Sequence, residues 1–295
     1  MTVITKELLG ALNLSINVTW QERFKNAPNA DIWKQIAMPV NSKNLSEQYA
    51  WLGAVPSLRE FKSERIAGTL SKFNYSITNK KFESTLDVDR DAIEDDRTGQ
   101  VMIAINALAT KAAQAYTKLV TAAFKAGFST PIFDGQNFFD TVHPTGANYL
   151  GTGASITAAN IDAAELLFAG QVDDKGDPLG YSGTHLLVGP YNYAAANLLV
   201  NTQVLASGAT NPYFHRYEIV KLPYLAAGDK QWALADLNEG LLPFVMQIRT
   251  AITLTSKTDL NSDRGFDKDI FTWGTRARHN AGYGNHQLVI GAVAS

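Results

Sequence analysis

Between residues 73 and 88 the chain alternates. Phe73, Tyr75 and Ile77 are separated by Asn74, Ser76 and Thr78. Beyond Asn79-Lys80, the residues Phe82, Ser84, Leu86 and Val88 share one face, and Lys81, Glu83, Thr85 and Asp87 take the other. A period of two with one polar face is the pattern of a strand half-exposed to water. Asn79-Lys80 can turn the chain or interrupt a strand, and Arg65-Ile-Ala-Gly68-Thr-Leu70 offers a second turn. The tip of a β-hairpin therefore falls at Gly68 or at Asn79. A lone two-stranded ribbon is marginal in water, so if this one projects it is expected to lie on a surface, such as that of a neighbouring subunit.

The alternation runs through an acidic segment (Asp87, Asp89, Asp91, Glu94, Asp95, Asp96) into a helical pattern from Gly99 to Phe124. Val101, Ile105, Leu108, Ala112, Ala115, Leu119 and Ala123 recur at steps of three and four. Nothing interrupts before Gly127, expected as a left-handed residue just past the helix. Roughly 26 residues at 1.5 Å each predict a rod of about 40 Å. Its acidic start and Lys118 and Lys125 near its end suit the helix dipole. Its many alanines suit close packing on more than one side, as in a spine that other elements cross.

Elsewhere the pattern is shorter. Leu8, Leu9, Leu12 and Leu14 predict an amphipathic turn or two. With Trp20 and Trp33 as anchors, residues 1–48 read as an arm, or alternatively as a helical subdomain. Residues 128–155 read as loop, 161–169 as helix, and Leu186-Leu-Val188 as a buried strand followed by Pro190 and a helix. Short strands follow at 218–220, 231–234, 244–249 and 252–254. The stretches 270–279 and 287–291 read as two strands around a glycine-rich turn. Helices and strands mixed in this way predict an α+β fold.

The 295 residues are long for one core and allow two lobes. Only 18% are charged, below the usual quarter. Either much of the surface meets other protein, or a large core is wrapped in uncharged polar loops. The net charge is −2, and no basic stripe of the kind nucleic-acid binders carry stands out. Lys80-Lys81 and Arg276/Arg278 are short pairs that read as solvated faces. This argues against gripping nucleic acid, though not against enclosing it. The chain has no cysteine, which excludes disulfides and thiolate chemistry. Met1-Thr-Val-Ile-Thr-Lys6 lacks the features of a secretory signal, and no run approaches the 18 or so apolar residues of a membrane span. A soluble protein, made and assembled in the cytoplasm, is expected.

A search for chemistry returns little. Asp87-Val-Asp89-Arg-Asp91 resembles the start of a calcium loop but lacks its glycine and closing glutamate, and Arg90 and Arg97 neutralise it. Asp134, Asp140 and His143 form a second candidate for a metal-dependent site, without further ligands nearby. His143 reads better as a hydrogen-bonded turn residue before Pro144. His185 reads as a strand-edge residue, and His215, His279 and His286 as isolated. There is no nucleophile elbow, no phosphate-binding loop and no dinucleotide fingerprint. No catalytic residue, cofactor or metal is assigned.

A set of ordered pieces resembles the major head subunit family of Mu-like phages. They are Tyr49-Ala-Trp51-Leu-Gly53, Pro56-Ser-Leu58-Arg59-Glu60, Arg65, and Tyr75-Ser-Ile77-Thr-Asn79-Lys80-Lys-Phe82-Glu83. They continue as Val88-Asp-Arg90-Asp91-Ala-Ile93-Glu94-Asp95-Asp96, Lys125-Ala-Gly127-Phe128, Asp134-Gly135-Gln136-Asn137-Phe138-Phe139-Asp140 and His143-Pro144. Looser pieces are Pro243-Phe244 with Gln247 and Arg249, and Phe266 with Asp269, Trp273-Gly274 and Arg278.

The resemblance implies the Hong Kong-type tailed-phage capsid fold. Its parts would be an N-terminal arm (1–48), an extended loop (49–88), a peripheral domain with the spine helix (89–150), an axial domain (151–257) and return strands of the peripheral domain (258–295). It implies a homo-oligomer of hexameric and pentameric capsomers forming an icosahedral head around double-stranded DNA. Scaffold, portal and cement proteins would be partners, with no membrane. An encapsulin-like cellular compartment would share the fold. Phe73, Tyr75 and Phe82 are expected to anchor the ribbon on the adjacent subunit.

Overall fold

The computed structural model describes residues 5–52, 72–95, 98–173, 175–238, 240–259 and 263–295. The chain opens with helix α1 (Lys6–Lys25), one element of 20 residues where a turn or two was expected. Thr5 caps it by accepting from the Leu8 N–H, and Glu7 at its start and Arg23 and Lys25 at its end complement the dipole. A short helix α2 (Trp33–Ile36) leads into β1 (Ala37–Asn41) and then β2 (Ser46–Leu52). Next come β3 (Lys72–Thr78) and β4 (Lys80–Asp89).

β2 and β3 pair antiparallel, with Tyr49 opposite Tyr75 and Trp51 opposite Phe73. β4 instead leaves for another sheet, where Lys80 lies opposite His279. Asn79 is therefore an interruption between two strands and not a hairpin tip. Its side chain is drawn inward, donating to Ser42 Oγ (2.9 Å) and the Asn44 carbonyl (2.8 Å). The β2–β3 connection, residues 53–71 with Gly68, lies outside the described residues.

The acidic segment does not run straight into the long helix. It forms its own short helix α3 (Arg90–Glu94), capped by the Asp89 carboxylate. The long pattern then appears as α4 (Thr98–Ala113) and α5 (Ala115–Ala126), divided by a turn at Gln114. The expected single rod is thus interrupted at one residue, although Gln114 still donates to the Thr110 carbonyl and accepts from the Lys118 N–H. The Thr110 hydroxyl bonds back to the Asn106 carbonyl (2.8 Å), a contact that bends helices. The loop after α1 docks at the same place, with Gln114 donating to the Pro28 carbonyl and Thr117 to that of Ala30. Gly127 is right-handed (φ −58°), not left-handed. A Cβ there would stand 3.1 Å from the rings of Phe138 and Phe139, which would have to give way.

The remaining elements are β5 (Tyr149–Thr152), α6 (Ala158–Ala169), β6 (His185–Val188), α7 (Pro190–Asn201), β7 (Glu218–Lys221), β8 (Gln231–Ala235), β9 (Phe244–Lys257), α8 (Asp263–Asp267), β10 (Ile270–Tyr283) and β11 (Val289–Val293). A 3-10 turn at His286–Leu288 precedes β11. The two strand patterns at 244–249 and 252–254 fuse into β9.

Two sheets organise the body, in the orders β1-β9-β10-β4 and β5-β11-β8-β6-β7. The last two strands, β10 and β11, fall in different sheets. The five-stranded sheet is covered on both faces, which is why Leu186-Leu-Val188 reads as an unbroken apolar run. Leu186, Val188, Trp232 and Leu234 pack on one face with Ile161 and Phe168 of α6 and Val200 of α7. Leu187, Val220, Ala233 and Ala235 face the other way, toward Val120 and Phe124 of α5 and Phe138 and Phe244. Where β9 begins and β10 ends, the ribbon lies over one face of the four-stranded sheet, with Ile77 against Gln247 and Gly282, and the other face is covered along its length. There Val88, Ile252, Phe271 and Trp273 pack against Leu9, Ile16 and Trp20 of α1 and Val101 and Ile105 of α4. The α4–α5 rod thus bridges two cores.

Candidate assembly surfaces

The β2–β3 ribbon is fastened at its root by buried polar contacts. Gln247, fully buried, accepts from the Tyr49 hydroxyl (2.8 Å) and donates to the Ile77 carbonyl (3.1 Å). Asn280 donates to the Thr78 carbonyl (2.8 Å). Burial, with the Glu47 charge second, pushes the Tyr49 hydroxyl up to about 12, so it stays a donor. The Glu47 carboxylate, held by the N–H groups of Asn44 and Lys43 and by Ser42, drops to about 2 and closes the turn before the ribbon.

The three ribbon residues singled out in the sequence fall in different settings. Tyr75 is half-buried, and its ring leans on Tyr283 with centroids 6.3 Å apart. Its hydroxyl accepts from the Tyr283 N–H (3.4 Å). Phe82 stacks on His279 at 4.5 Å, and Tyr116 of α5 meets the same imidazole edge-on at 4.9 Å. Both rings are held by their own subunit. Phe73 stands in β3 opposite Trp51, toward the outer end of the ribbon.

Of the candidate metal residues, the structure unites two. His143 Nδ1 lies 2.6 Å from Asp134 Oδ2, with the histidine side chain wholly buried. Asp140 turns to its own loop, accepting from the N–H groups of Thr141 (2.7 Å) and Asn137 (3.3 Å). His286, isolated in sequence, lies tilted against His143 with ring centroids 4.2 Å apart and bonds to the Thr145 hydroxyl (3.2 Å). Burial, and then His143, lower its pKa to about 3, so it is neutral. Asn148 completes this joint, donating to the carbonyls of Phe138 (2.8 Å) and His286 (3.0 Å). Nothing in the spacing of positions 134, 143 and 286 signals the meeting. Among the described residues no group of three or more histidine, cysteine or acidic side chains is arranged to hold a metal. His185 begins β6, with Thr184 and Glu218 as partners.

Large apolar side chains stand in water on several helices. Leu14 and Val18 project from α1, Ile103 (70% exposed) from α4, Leu166 (74%) from α6 and Leu198 (67%) from α7. Sequence periodicity does not reveal them, since each belongs to a helix whose other side is buried. Apolar surface spread over several elements suits a chain that meets many neighbours. Among the described residues no helix is long and apolar enough to cross a membrane.

Comparison with known proteins agrees over almost the whole chain. The family model of the Mu-like prophage major head subunit gpT matches residues 9–160, 149–225 and 226–295. The Mu-like prophage FluMu major head subunit of Haemophilus influenzae is 31% identical over 98% of this chain and 74% of its own length. The major capsid protein of Escherichia phage Mu is 27% identical over the same shares. Among solved structures, the procapsid of bacteriophage JBD30 superposes with a TM-score of 0.62 at 28% identity, over 99% of this chain and 77% of that one. The virus-like particle from Pyrococcus furiosus shares the fold at 10% identity, with a TM-score of 0.54 over 95% of this chain and 98% of that one. With two sheets bridged by an interrupted helical rod, a clamped ribbon and a likeness spanning the chain, this protein belongs to the Mu-like phage major head subunit family and is a building block of the virion shell.

Proposed function

We propose that the chain forms hexameric and pentameric capsomers that close into the icosahedral head of a tailed, Mu-like phage or prophage around double-stranded DNA. The observation that carries this is the match to the JBD30 procapsid over 99% of the chain. The sheets suggest how the subunit divides. The four-stranded sheet with α1, α4 and α8 would be the peripheral part. The five-stranded sheet with α6 and α7 would be the axial part, with β11 returning to it. Closed shells repeat one heterologous contact many times, so each contact need contribute only modestly. We assign ribbon anchoring on a neighbour to Phe73 and the outer end of the ribbon, with Tyr75 securing its root on Tyr283 and Phe82 packed on His279 in the adjoining sheet. Assembly in the host cytoplasm with scaffold and portal proteins, and a cement protein outside, completes this reading.

We read the protein as non-enzymatic. The Asp134–His143 pair is buried and pinned by its own loop, and Asp140 is engaged in a turn. An encapsulin-like role finds support only in the fold, whereas the sequence kinship is with phage head subunits.

Electron microscopy of the purified protein is the test. Closed shells, or tubes and rings of capsomers, are expected. A monomer at all concentrations and salts would refute the proposal. His143→Ala should still assemble, with lower thermal stability. A turnover or bound metal that disappears with this substitution would favour the enzyme reading.

A further inference from the structure

The part of the four-stranded sheet's outer face that the ribbon leaves open carries a pattern that the shell reading does not use. Its ladders align Lys81 with Arg278, Glu83 with Arg276, Thr85 with Gly274 and Asp87 with Thr272. On the other side of β10, Arg276 lies opposite Thr253, Gly274 opposite Thr255 and Thr272 opposite Lys257. The alternate residues of β10, namely Phe271, Trp273, Ala277 and His279, are buried beneath. Every outward position in this grid is therefore charged, hydroxylated or glycine.

Gly274 leaves a trough of about 280 Å³ between Thr85 and Thr255, with Lys81, Glu83, Arg276 and Lys257 around it. Arg264 of α8 reaches the same face, donating to Asp87 (2.7 Å) and Thr272 (2.9 Å). Five cations thus meet two carboxylates, on a chain whose net charge is −2. Among the described residues Lys81, Lys257, Arg276 and Arg278 make no ion pair. The acidic α3 segment bounds the face at one end, where Arg90 engages Glu94 and Asp269. Lys80-Lys81 and Arg276/Arg278 looked like unrelated short pairs in the sequence. Lys81 and Arg278 are in fact cross-strand neighbours.

We propose that this face contacts the phosphate backbone of nucleic acid, without sequence preference. The proposal rests on the reading of the protein as a shell around DNA and names the surface that touches it. The chemistry separates this from a protein contact. Protein interfaces bury an apolar, aromatic centre, and this grid has none. Nucleic-acid interfaces are polar, positive and wet, and arginine, lysine and threonine hydroxyls are common phosphate ligands. Readout of bases is not expected from a flat sheet face that presents no element shaped to enter a groove.

The test is fluorescence anisotropy of the full-length subunit with a random-sequence duplex of about 30 base pairs, across a salt series. R276A/R278A/K257A should lose about tenfold in affinity at low salt, and the slope of log K against log salt should fall by about 2–3. K111A/K175A, which removes two lysines elsewhere, should leave both unchanged. Should the triple variant melt early, R276A alone carries the test, with the slope falling by about one. Unchanged affinity and slope, or equal losses in the control, would overturn the proposal. So would a wild-type chain that does not bind the duplex. A triple variant that binds DNA normally yet forms no shells would assign the face to a protein neighbour instead. Microscopy of wild-type shells decides the shell reading separately.

Discussion

His279 lies between Phe82 and Tyr116, fully buried, with neither ring nitrogen bonded among the described residues. Burial lowers its pKa to about 4 from an ordinary 6.5. The unfolded chain therefore binds a proton that the folded chain refuses between those values. Stability is fully present above pH 6.5 and is lost as pH falls, by up to about 1.4 kcal/mol per pH unit, until about pH 4. His286, at about 3, adds a second loss over a longer window. His279→Phe should stack on the same neighbours and flatten the pH dependence. Urea melts at pH 8 and pH 5 should show the variant gaining on the wild type at pH 5, and an equal pH response would refute this role. Gly282 makes a complementary point about the ribbon root. A Cβ there would overlap Ile77 of β3 and approach the Tyr75 hydroxyl at 3.2 Å. Gly282→Ala should destabilise by about 1–3 kcal/mol, read as a lower denaturation midpoint with unchanged slope.

At the scale of elements, the described part of the ribbon is tied to the body at its root. Removing residues 65–82 would also take β3 and the start of β4, which pair with β2 and β10. A deletion confined to 54–70, closed by a short glycine-serine link, separates the ribbon's reach from the fold. Its melting temperature should stay within a few degrees of wild type, while shells fail to form or fall apart on dilution. Normal, dilution-resistant shells would show that the ribbon is dispensable. The α4–α5 rod behaves differently, because its two halves serve two cores. Thr117→Val removes a buried hydrogen bond to the Ala30 carbonyl and should cost about 1 kcal/mol. That loss should appear in the melting of the subunit before any change in assembly.

For the whole molecule, the subunit has one sheet covered on both faces and one whose outer face is open except where the ribbon lies on it. The doubly covered sheet supplies rigidity, and the open sheet and exposed helix faces supply surface. Exposed Ile103, Leu166 and Leu198 are a solubility liability in a monomer and an asset in a shell. The low share of charged residues follows the same logic. If these faces are covered in the assembly, hydrogen exchange should slow in α4, α6 and α7 on going from free subunit to shell. Equal exchange in both states would place the contacts elsewhere.

Much of this was legible in the chain itself. The half-exposed strand, the helical run after the acidic segment and the α6, β6 and α7 patterns all rest on periods and spacings within a few residues, which local stereochemistry imposes directly. The family pieces from Tyr49 to Pro144 added the shell. Other features waited for the tertiary structure, because they depend on partners far along the chain. Asn79 was freed from its turn role by Ser42, Gln114 became an interruption where the 27–31 loop docks, and Gly127 stayed right-handed beneath Phe138 and Phe139. His286 came to rest on His143, and Arg276 and Arg278 joined Lys81 across a ladder. Periodicity tells a strand which face is wet, but only packing decides which strand lies beside it, and with it where buried histidines meet and where charge accumulates.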